Sequence, residues 1–227
     1  MVMKKIILFL SLLILSESVF SQVPIKGNGL SGDDFEKVAT EIKKKVKDFQ
    51  QSVGHLAGNE YNHKEKEDIR KRALDWFIGA GERYPVAVPT QNGFDITWHN
   101  AVVMGSAPTK NNKGERRYEP MKDYLSRLIN NSENPNYRYK KVVIEGAEGV
   151  ALDNFRKISD DSYIATAHYL QTFTGYRYAD MEGSSYTDYT VKIVTIFINI
   201  IEIEHYEGSV DRYAIIKLGD VVCDDVW

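Results

Sequence analysis

Two polar side chains in one predicted strand are the candidates for acid–base chemistry. Asp95 and His99 lie four residues apart in a strand-like segment that starts at Gly93. Residues four apart on a strand share a face, and at ~3.3 Å per residue their Cα atoms lie roughly 13 Å apart. That separation is too long for a mutual hydrogen bond. Either side chain could still abstract a proton by itself, so both are candidate catalytic residues; the alternative is that they are ordinary polar residues of a strand.

Motifs for metal binding and for nucleophilic catalysis are absent from the sequence. It contains no G-x-S-x-G, no H-E-x-x-H, no phosphate-binding loop and no paired-cysteine spacing. His63 and Glu67 are four apart on a predicted helix, which is more typical of a solvent-facing pair than of a metal site. We therefore predict no metal and no cofactor, and the residues favour a protein that is not an enzyme.

A tyrosine-rich stretch, Phe173 to Thr190, is the candidate binding surface. It carries four tyrosines around a Glu-Gly-Ser-Ser centre that is typical of a turn between two strands. Tyrosine and tryptophan combine a large ring with a polar tip, which suits glycan or peptide recognition. The predicted ligand-binding residues are Trp98, Tyr176, Tyr178 and Tyr186. The alternative is cross-strand aromatic pairing in a β-hairpin, and both interpretations stay open.

The N-terminal residues predict a compartment rather than a part of the fold. Lys4 and Lys5 precede an apolar run over 6–15, and Val19 and Ser21 supply the −3 and −1 positions of a cleavage site. The run is too short to span a bilayer, which takes ~20 residues. We predict a cleaved signal peptide over 1–21 and export to the periplasm, the cell surface or the medium. No transmembrane segment is predicted in the mature chain.

Length, cysteine count and charge limit the class of protein. The chain of 227 residues fits a signal peptide, a flexible leader over 22–32 and a single domain over 33–227. Its one cysteine, Cys223, excludes an intrachain disulfide and is predicted to be an ordinary strand residue. The formal net charge of −3, without a basic face, argues against nucleic acid as a partner.

Helical spacing precedes strand spacing along the predicted domain. Apolar residues recur at helical spacing from Phe35 to Leu56 and from Ile69 to Phe77, and a short third helix starts at Met121. Strands are predicted over 93–104, 140–152, 162–178, 186–206 and 213–222, with a loop over 106–120. The long strand from 186 is apolar on both alternating sets, which predicts cover on both faces. The two longest strands are expected to bend at a bulge or a glycine.

This order of elements predicts an α+β fold: N-terminal helices packed on a strongly curved antiparallel sheet, in a cone-like arrangement. Five segments carry a family resemblance: MKDYLSRL (121–128), YKKVVIEG (139–146), QTFTGY (171–176), YTDYTVKIVTIF (186–197) and YAIIKLGDVV (213–222). With the element order, they resemble the nuclear-transport-factor-2-like superfamily, which includes ketosteroid isomerase and SnoaL-type cyclases. More narrowly, they resemble exported Bacteroidetes proteins assigned to that fold. The motifs are structural and imply a fold rather than an activity.

Two functions follow from the residues and the resemblance together. The predicted function is an exported, non-catalytic binding or assembly module for a small molecule, a peptide or a glycan. The alternative is a small isomerase or dehydratase that uses the cone cavity, since enzymes of this fold place a carboxylate or an Asp/His pair at its mouth. A buried carboxylate or histidine with a raised pKa would favour the enzyme. The ligand or protein partner is not specified, and a homodimer is left open.

Overall fold

The computed structural model describes residues 32–90, 93–106, 116–135, 138–146, 149–177 and 185–224. The predicted signal peptide over 1–21 lies outside the described residues, as do Tyr178 and all of the predicted leader except Gly32.

Three α-helices of the described chain begin close to where their sequence signals place them. α1 spans Gly32–Ala57, α2 His63–Asp75 and α3 Met121–Glu133. The predicted apolar stripe of α1 is buried at Val38, Ile42, Val46, Phe49, Val53 and Leu56. Asn62 caps α2, because its side chain accepts from the Glu65 N–H while the Glu65 carboxylate accepts from the Asn62 N–H. Within the described ranges, no helix is long and apolar enough to cross a membrane.

A buried lysine ties the three helices together. Lys66 of α2 is 1% exposed, and its Nζ donates to the Gly58 carbonyl just beyond α1. The same Nζ donates to Ser132 Oγ on α3, and both bonds are 2.6 Å long. Since Gly58 follows the last turn of α1, the ammonium group satisfies a carbonyl at a helix end that burial would otherwise leave unpaired.

The strands form one large open sheet and one small hairpin. Their bounds are β1 Tyr84–Thr90, β2 Gly93–His99, β3 Val103–Ser106, β4 Arg117–Pro120, β5 Tyr139–Glu145, β6 Ala151–Lys157, β7 Ser162–Arg177, β8 Ser185–Glu204 and β9 Val210–Asp224. β1 and β2 pair only with each other among the described strands. The other seven follow the order β4-β3-β9-β8-β7-β5, and β6 also pairs with β7. All pairs are antiparallel except β3 with β9. The predicted α+β class is confirmed.

Two strand boundaries differ from the predictions. The strand predicted over 93–104 ends at His99, and it pairs with β1, which the sequence does not predict. Pro85 and Pro89 make the sequence of β1 unlike that of a strand, because proline removes a backbone donor and is tolerated mainly in edge strands. The loop predicted over 106–120 ends in the short strand β4.

A glycine divides the strand predicted over 140–152 into β5 and β6. Gly146 lies between them with a φ of 117°, a conformation that other residues rarely adopt. A Cβ atom there would lie 1.7 Å from the carbonyl oxygen of Leu170 on the neighbouring strand. The backbones approach so closely that only glycine fits. β5 therefore ends its pairing with β7 here, and the chain pairs with β7 again as β6.

β7 and β8 pair without interruption, whereas β8 and β9 do not. The β7–β8 register runs from Ser162 opposite Asn199 to Tyr176 opposite Ser185, which confirms the predicted hairpin. The β8–β9 register shifts just after Val194, close to Gly219. A Cβ atom on Gly219 would lie 2.7 Å from the Phe197 ring, so the irregularity expected for such long strands falls at a glycine.

The helices cover one face of the large sheet, here called the inner face. On β8 its buried residues are Thr190, Lys192, Val194, Ile196, Ile198 and Ile200. The opposite, outer face carries Ile193 and Phe197, which are half-buried, and Ile201 and Ile203, which are 39% and 45% exposed. The prediction of cover on both faces is therefore wrong, because alternation shows which side chains share a face but not what packs against them.

Candidate functional site

The predicted ligand-binding residues do not line one surface. Trp98 is 57% exposed on β2, in the small hairpin. Tyr176 and Tyr186 are close in the β7–β8 register, but alternation along the strands places Tyr176 on the outer face and Tyr186 on the inner face. Tyr189, three residues after Tyr186, faces outward and is 59% exposed. Of the tyrosine-rich stretch, the structure therefore brings Tyr186 alone to the inner face among the described tyrosines.

The catalytic candidates lie on the small hairpin as well. Asp95 and His99 are both exposed on β2. The His99 ring stacks on Tyr84 of β1, with ring centroids 5.5 Å apart. Burial is the condition that most strongly changes the reactivity of an acid or a base. Neither of these side chains is buried.

Three aromatic rings meet on the inner face near the end of β7 and the start of β8, and we call them the aromatic rim: Tyr139, Phe173 and Tyr186. The Phe173 centroid lies 5.6 Å from that of Tyr139 and 6.5 Å from that of Tyr186. Gly175, opposite Tyr186, leaves room for this arrangement, since a Cβ atom there would lie 2.4 Å from the Tyr139 ring. The rim thus joins β5, β7 and β8 at one end of the inner face.

Asp188 lies next to the rim and has an altered acidity. It follows Tyr186 by two residues on the same face of β8 and is opposite Phe173 in the register. Burial raises the pKa of the Asp188 carboxyl above its ordinary 3.8, while a hydrogen bond from Thr190 and the charge of Lys192 oppose this shift without cancelling it. The Thr190 Oγ1 donates over 3.4 Å, a long bond. The rim therefore adjoins a half-buried carboxyl group that holds its proton to a higher pH than usual.

Further along the inner face, polar residues continue into the core. The register sets Tyr169, Lys192 and Cys223 side by side on β7, β8 and β9. Lys192 is 2% exposed, and its Nζ donates to the Gly105 carbonyl at 2.7 Å and to Cys223 Sγ at 3.0 Å. Among the described residues, no carboxylate forms an ion pair with this ammonium group. A buried cation with neutral partners is costly and therefore uncommon.

Two phenol groups and an amide complete the buried polar cluster. Burial raises the pKa of Tyr124 on α3 and of Tyr169 far above the ordinary 10.0. The Tyr169 hydroxyl and the Gln171 Oε1 find no hydrogen-bond partner in the described part of the chain. Each such buried polar atom costs about 1–3 kcal/mol. Arg127 lies over the Tyr124 ring at 5.3 Å and donates to Glu119.

A cleft of about 320 Å³ lies at the other end of the sheet. Its lining residues are Asp34, Lys37, Val38 and Glu41 of α1, Ile200 of β8, and Arg212, Tyr213 and Ala214 of β9. Arg212, its central cation, pairs with Glu202 at 2.9 Å and with Asp34 at 3.5 Å. Because these charged groups pair with one another, fewer of them are available to a ligand than at the aromatic rim with Asp188.

The outer face presents an apolar area between β8 and β9. Ile201 lies opposite Tyr213, and these residues, with Ile203 and Ile215, are 39–47% exposed. Exposed apolar areas of this kind often mark contacts between proteins. The sequence leaves a homodimer open, and that prediction remains untested. This apolar surface would suit the interface of such a dimer.

The sequence marks the polar inner-face residues of β8, although the assignment of the strand by itself does not reveal them. Asp188, Thr190 and Lys192 share the alternating set of Val194, Ile196 and Ile198. A charged residue within the set that faces the core is an exception that marks a site, provided the buried set is known. Across the described ranges, no group of three His, Cys, Asp or Glu side chains could hold a metal ion.

Comparison with known proteins adds no assignment. No family model, no curated protein and no solved structure matches the chain. The class that the fold defines is an α+β domain with helices on one face of an open, mostly antiparallel sheet.

Proposed function

We propose that this protein is an exported, non-catalytic binding module with a cone-like, nuclear-transport-factor-2-like fold, and that its ligand binds at the aromatic rim beside Asp188. The signal peptide predicted over 1–21 supports export. The element order and the helices on a single face of the large sheet support the fold. The proposed partner is a ligand and not a nucleic acid.

One observation carries the proposal: β8 sets Tyr186 beside Phe173 and Tyr139, with Asp188 next along the same face. Tyr186 is 43% exposed, so a ligand can reach its ring. Aromatic faces pack against the apolar face of a sugar ring, and a carboxyl group accepts hydrogen bonds from its hydroxyls. Among the small molecules, peptides and glycans considered, a glycan fits this pairing of rings and carboxyl best.

Replacement of Tyr186 by serine is expected to weaken glycan binding at least tenfold, because the most exposed ring of the rim is lost. A tenfold change corresponds to about 1.4 kcal/mol of binding free energy. A glycan array identifies the sugar, and titration calorimetry with that sugar measures the Kd of each variant.

The matched control is Tyr189→Ser, which removes an exposed tyrosine from the outer face of the same strand. It should leave the Kd unchanged. Trp98→Ser tests the predicted contribution of the small hairpin separately. An array without signal, or equal losses in the Tyr186 and Tyr189 variants, would contradict a site at the rim.

A second candidate function, the isomerase or dehydratase, is favoured by Asp188. A half-buried carboxyl with a raised pKa is suited to act as a general base. Its deprotonated form is the active one. The rate should therefore rise with pH through a midpoint above the ordinary 3.8 of an aspartate.

An enzyme of this kind should exchange protons next to a carbonyl group with deuterium from solvent. Proton NMR on a panel of ketones and hydroxyketones measures this exchange. Asp188→Asn is expected to slow it about 10²–10⁴-fold, whereas Asp95→Asn, on the exposed hairpin, should not. Absence of exchange by the unmodified protein would exclude this function for the panel and leave the binding module.

A further inference from the structure

The pairing of Lys192 with Cys223 is a nucleophilic cluster that the proposed binding function does not use. The two residues are opposite each other on β8 and β9, and Nζ lies 3.0 Å from Sγ. Reacting atoms that are held about 3–3.5 Å apart are close to the geometry of bond formation. Both side chains are almost fully buried, at 2% and 4% exposure, so the surrounding core holds the two groups in contact.

We propose that Cys223 and Lys192 are a modification site: oxidation of the thiol by a peroxide is followed by a covalent sulfur–nitrogen link, a sulfenamide, between the two side chains. The link would join β8 to β9 across the inner face. This inference concerns the buried cluster and is independent of ligand binding at the aromatic rim.

The chemistry proceeds in two balanced steps. In the first, Cys223 sulfur attacks one oxygen of hydrogen peroxide and the O–O bond breaks. The departing hydroxide takes the thiol proton and leaves as water, and the sulfur is oxidised by two electrons to a sulfenic acid. In the second step, Lys192, after losing its ammonium proton to solvent, attacks that sulfur as an amine. The S–O bond breaks, the hydroxide leaves with an N–H proton as water, and the S–N bond remains.

Two features direct the sulfenic acid toward Lys192. The sequence has one cysteine, so no second thiol within it can form a disulfide with the oxidised sulfur. The amine nitrogen is already in contact with the sulfur, and attack by a nitrogen on a sulfenic acid has a precedent in the backbone sulfenamides of other proteins.

Tyr169 supplies a second, independent feature of the site. Its hydroxyl is buried without a hydrogen-bond partner among the described residues, and it lies close enough to Cys223 for the two to interact electrostatically. The reduced cluster leaves this O–H without an acceptor among the described residues, and a sulfenic oxygen would add an acceptor to the cluster. Cys223 is also the last residue but one of β9, and strand ends open locally more often than strand centres, which gives a small oxidant access.

The experiment treats the full chain with hydrogen peroxide, blocks the remaining thiols after denaturation and examines the digested protein by mass spectrometry. The expected product is a joined pair of peptides containing Lys192 and Cys223, lighter by two hydrogens than their sum and separated by dithiothreitol. Lys192→Arg keeps the charge but is a poor nucleophile, so its Cys223 should continue to sulfinic acid without a link.

A second measurement keeps the proposal testable if the arginine variant fails to fold. The link should raise the Tm of the peroxide-treated protein by roughly 5 °C, because it constrains the unfolded chain, and dithiothreitol should reverse the rise. Cys223→Ser should show no peroxide-dependent change. The proposal would be overturned if the treated protein yielded only free Cys223 thiol, sulfinic acid or an intermolecular disulfide with Lys192 unmodified.

Discussion

Replacement of Phe77 by alanine is expected to lower the free energy of unfolding by about 3–5 kcal/mol. Phe77 is fully buried and meets Phe49 of α1 edge to face, with centroids 5.0 Å apart. Its backbone also bridges to Leu218 of β9. The ring therefore fills space where α1, the end of α2 and the sheet converge, and its loss leaves a cavity that rigid neighbours cannot close.

Urea unfolding at neutral pH, followed by circular dichroism, measures this loss. Trp98→Ala is the matched control, because it removes a larger ring from a side chain that is 57% exposed. Exposed positions usually change the free energy of unfolding by less than about 0.5 kcal/mol. Similar losses in the two variants would contradict the position of Phe77 at the centre of the core.

Removal of the hydroxyls of Tyr124 and Tyr169 is expected to protect the protein against alkaline unfolding. Burial raises the pKa of both phenols in the folded state, while in the unfolded chain they ionise near the ordinary 10.0. Above pH 10 the unfolded state therefore releases protons that the folded state keeps, and stability falls as the pH rises. The loss is about 1.4 kcal/mol per pH unit for each tyrosine, or about 3 kcal/mol for the pair at pH 11.

The double variant Tyr124→Phe, Tyr169→Phe should lack this part of the loss. The free energy of unfolding of each protein is measured in urea between pH 8 and pH 11. The value for the variant minus that for the unmodified protein should increase by about 3 kcal/mol over that range. Below pH 10 the difference between the two proteins should not depend on pH; there, loss of the unpartnered Tyr169 hydroxyl relieves a desolvation cost of about 1–3 kcal/mol. Parallel pH profiles for the two proteins would show that the phenols ionise freely in the folded state.

Two lysines change the pH dependence of stability in the opposite direction at alkaline pH. Burial lowers the pKa of Lys66 and of Lys45 below 10.5, so their contribution to stability rises as the pH approaches that value. Both proteins in the comparison keep these lysines. The difference between the two profiles therefore isolates the phenols.

Local signals account for the parts of the fold that could be predicted. The apolar period of α1 and the strand patterns of β7 and β8 act over a few residues, and each is visible along the chain. The β1–β2 hairpin could not be predicted in the same way. The prolines of β1 are tolerated because its only described partner is β2, and that pairing is a property of the assembled structure.

The candidate site depends on contacts between residues far apart in sequence. Tyr139, Phe173 and Tyr186 come from three strands, and Lys192 meets Cys223 through the β8–β9 register. The tyrosine-rich stretch correctly indicated the β7–β8 hairpin, but its tyrosines divide between two faces. Trp98, Asp95 and His99 lie on the small hairpin, where no described feature connects them with the rim.

The amino-acid order by itself determined the three helices and the long strands β7, β8 and β9, and which side chains of a strand share a face, since both follow from the period of the backbone. Tertiary structure decided which of the two faces the helices cover. On β8 both alternating sets are apolar, so the pattern could not distinguish them. Once α1, α2 and α3 had packed against the set that contains Asp188 and Lys192, these two residues became a half-buried carboxyl and a buried ammonium group, and the set that contains Ile201 and Ile203 was left facing outward.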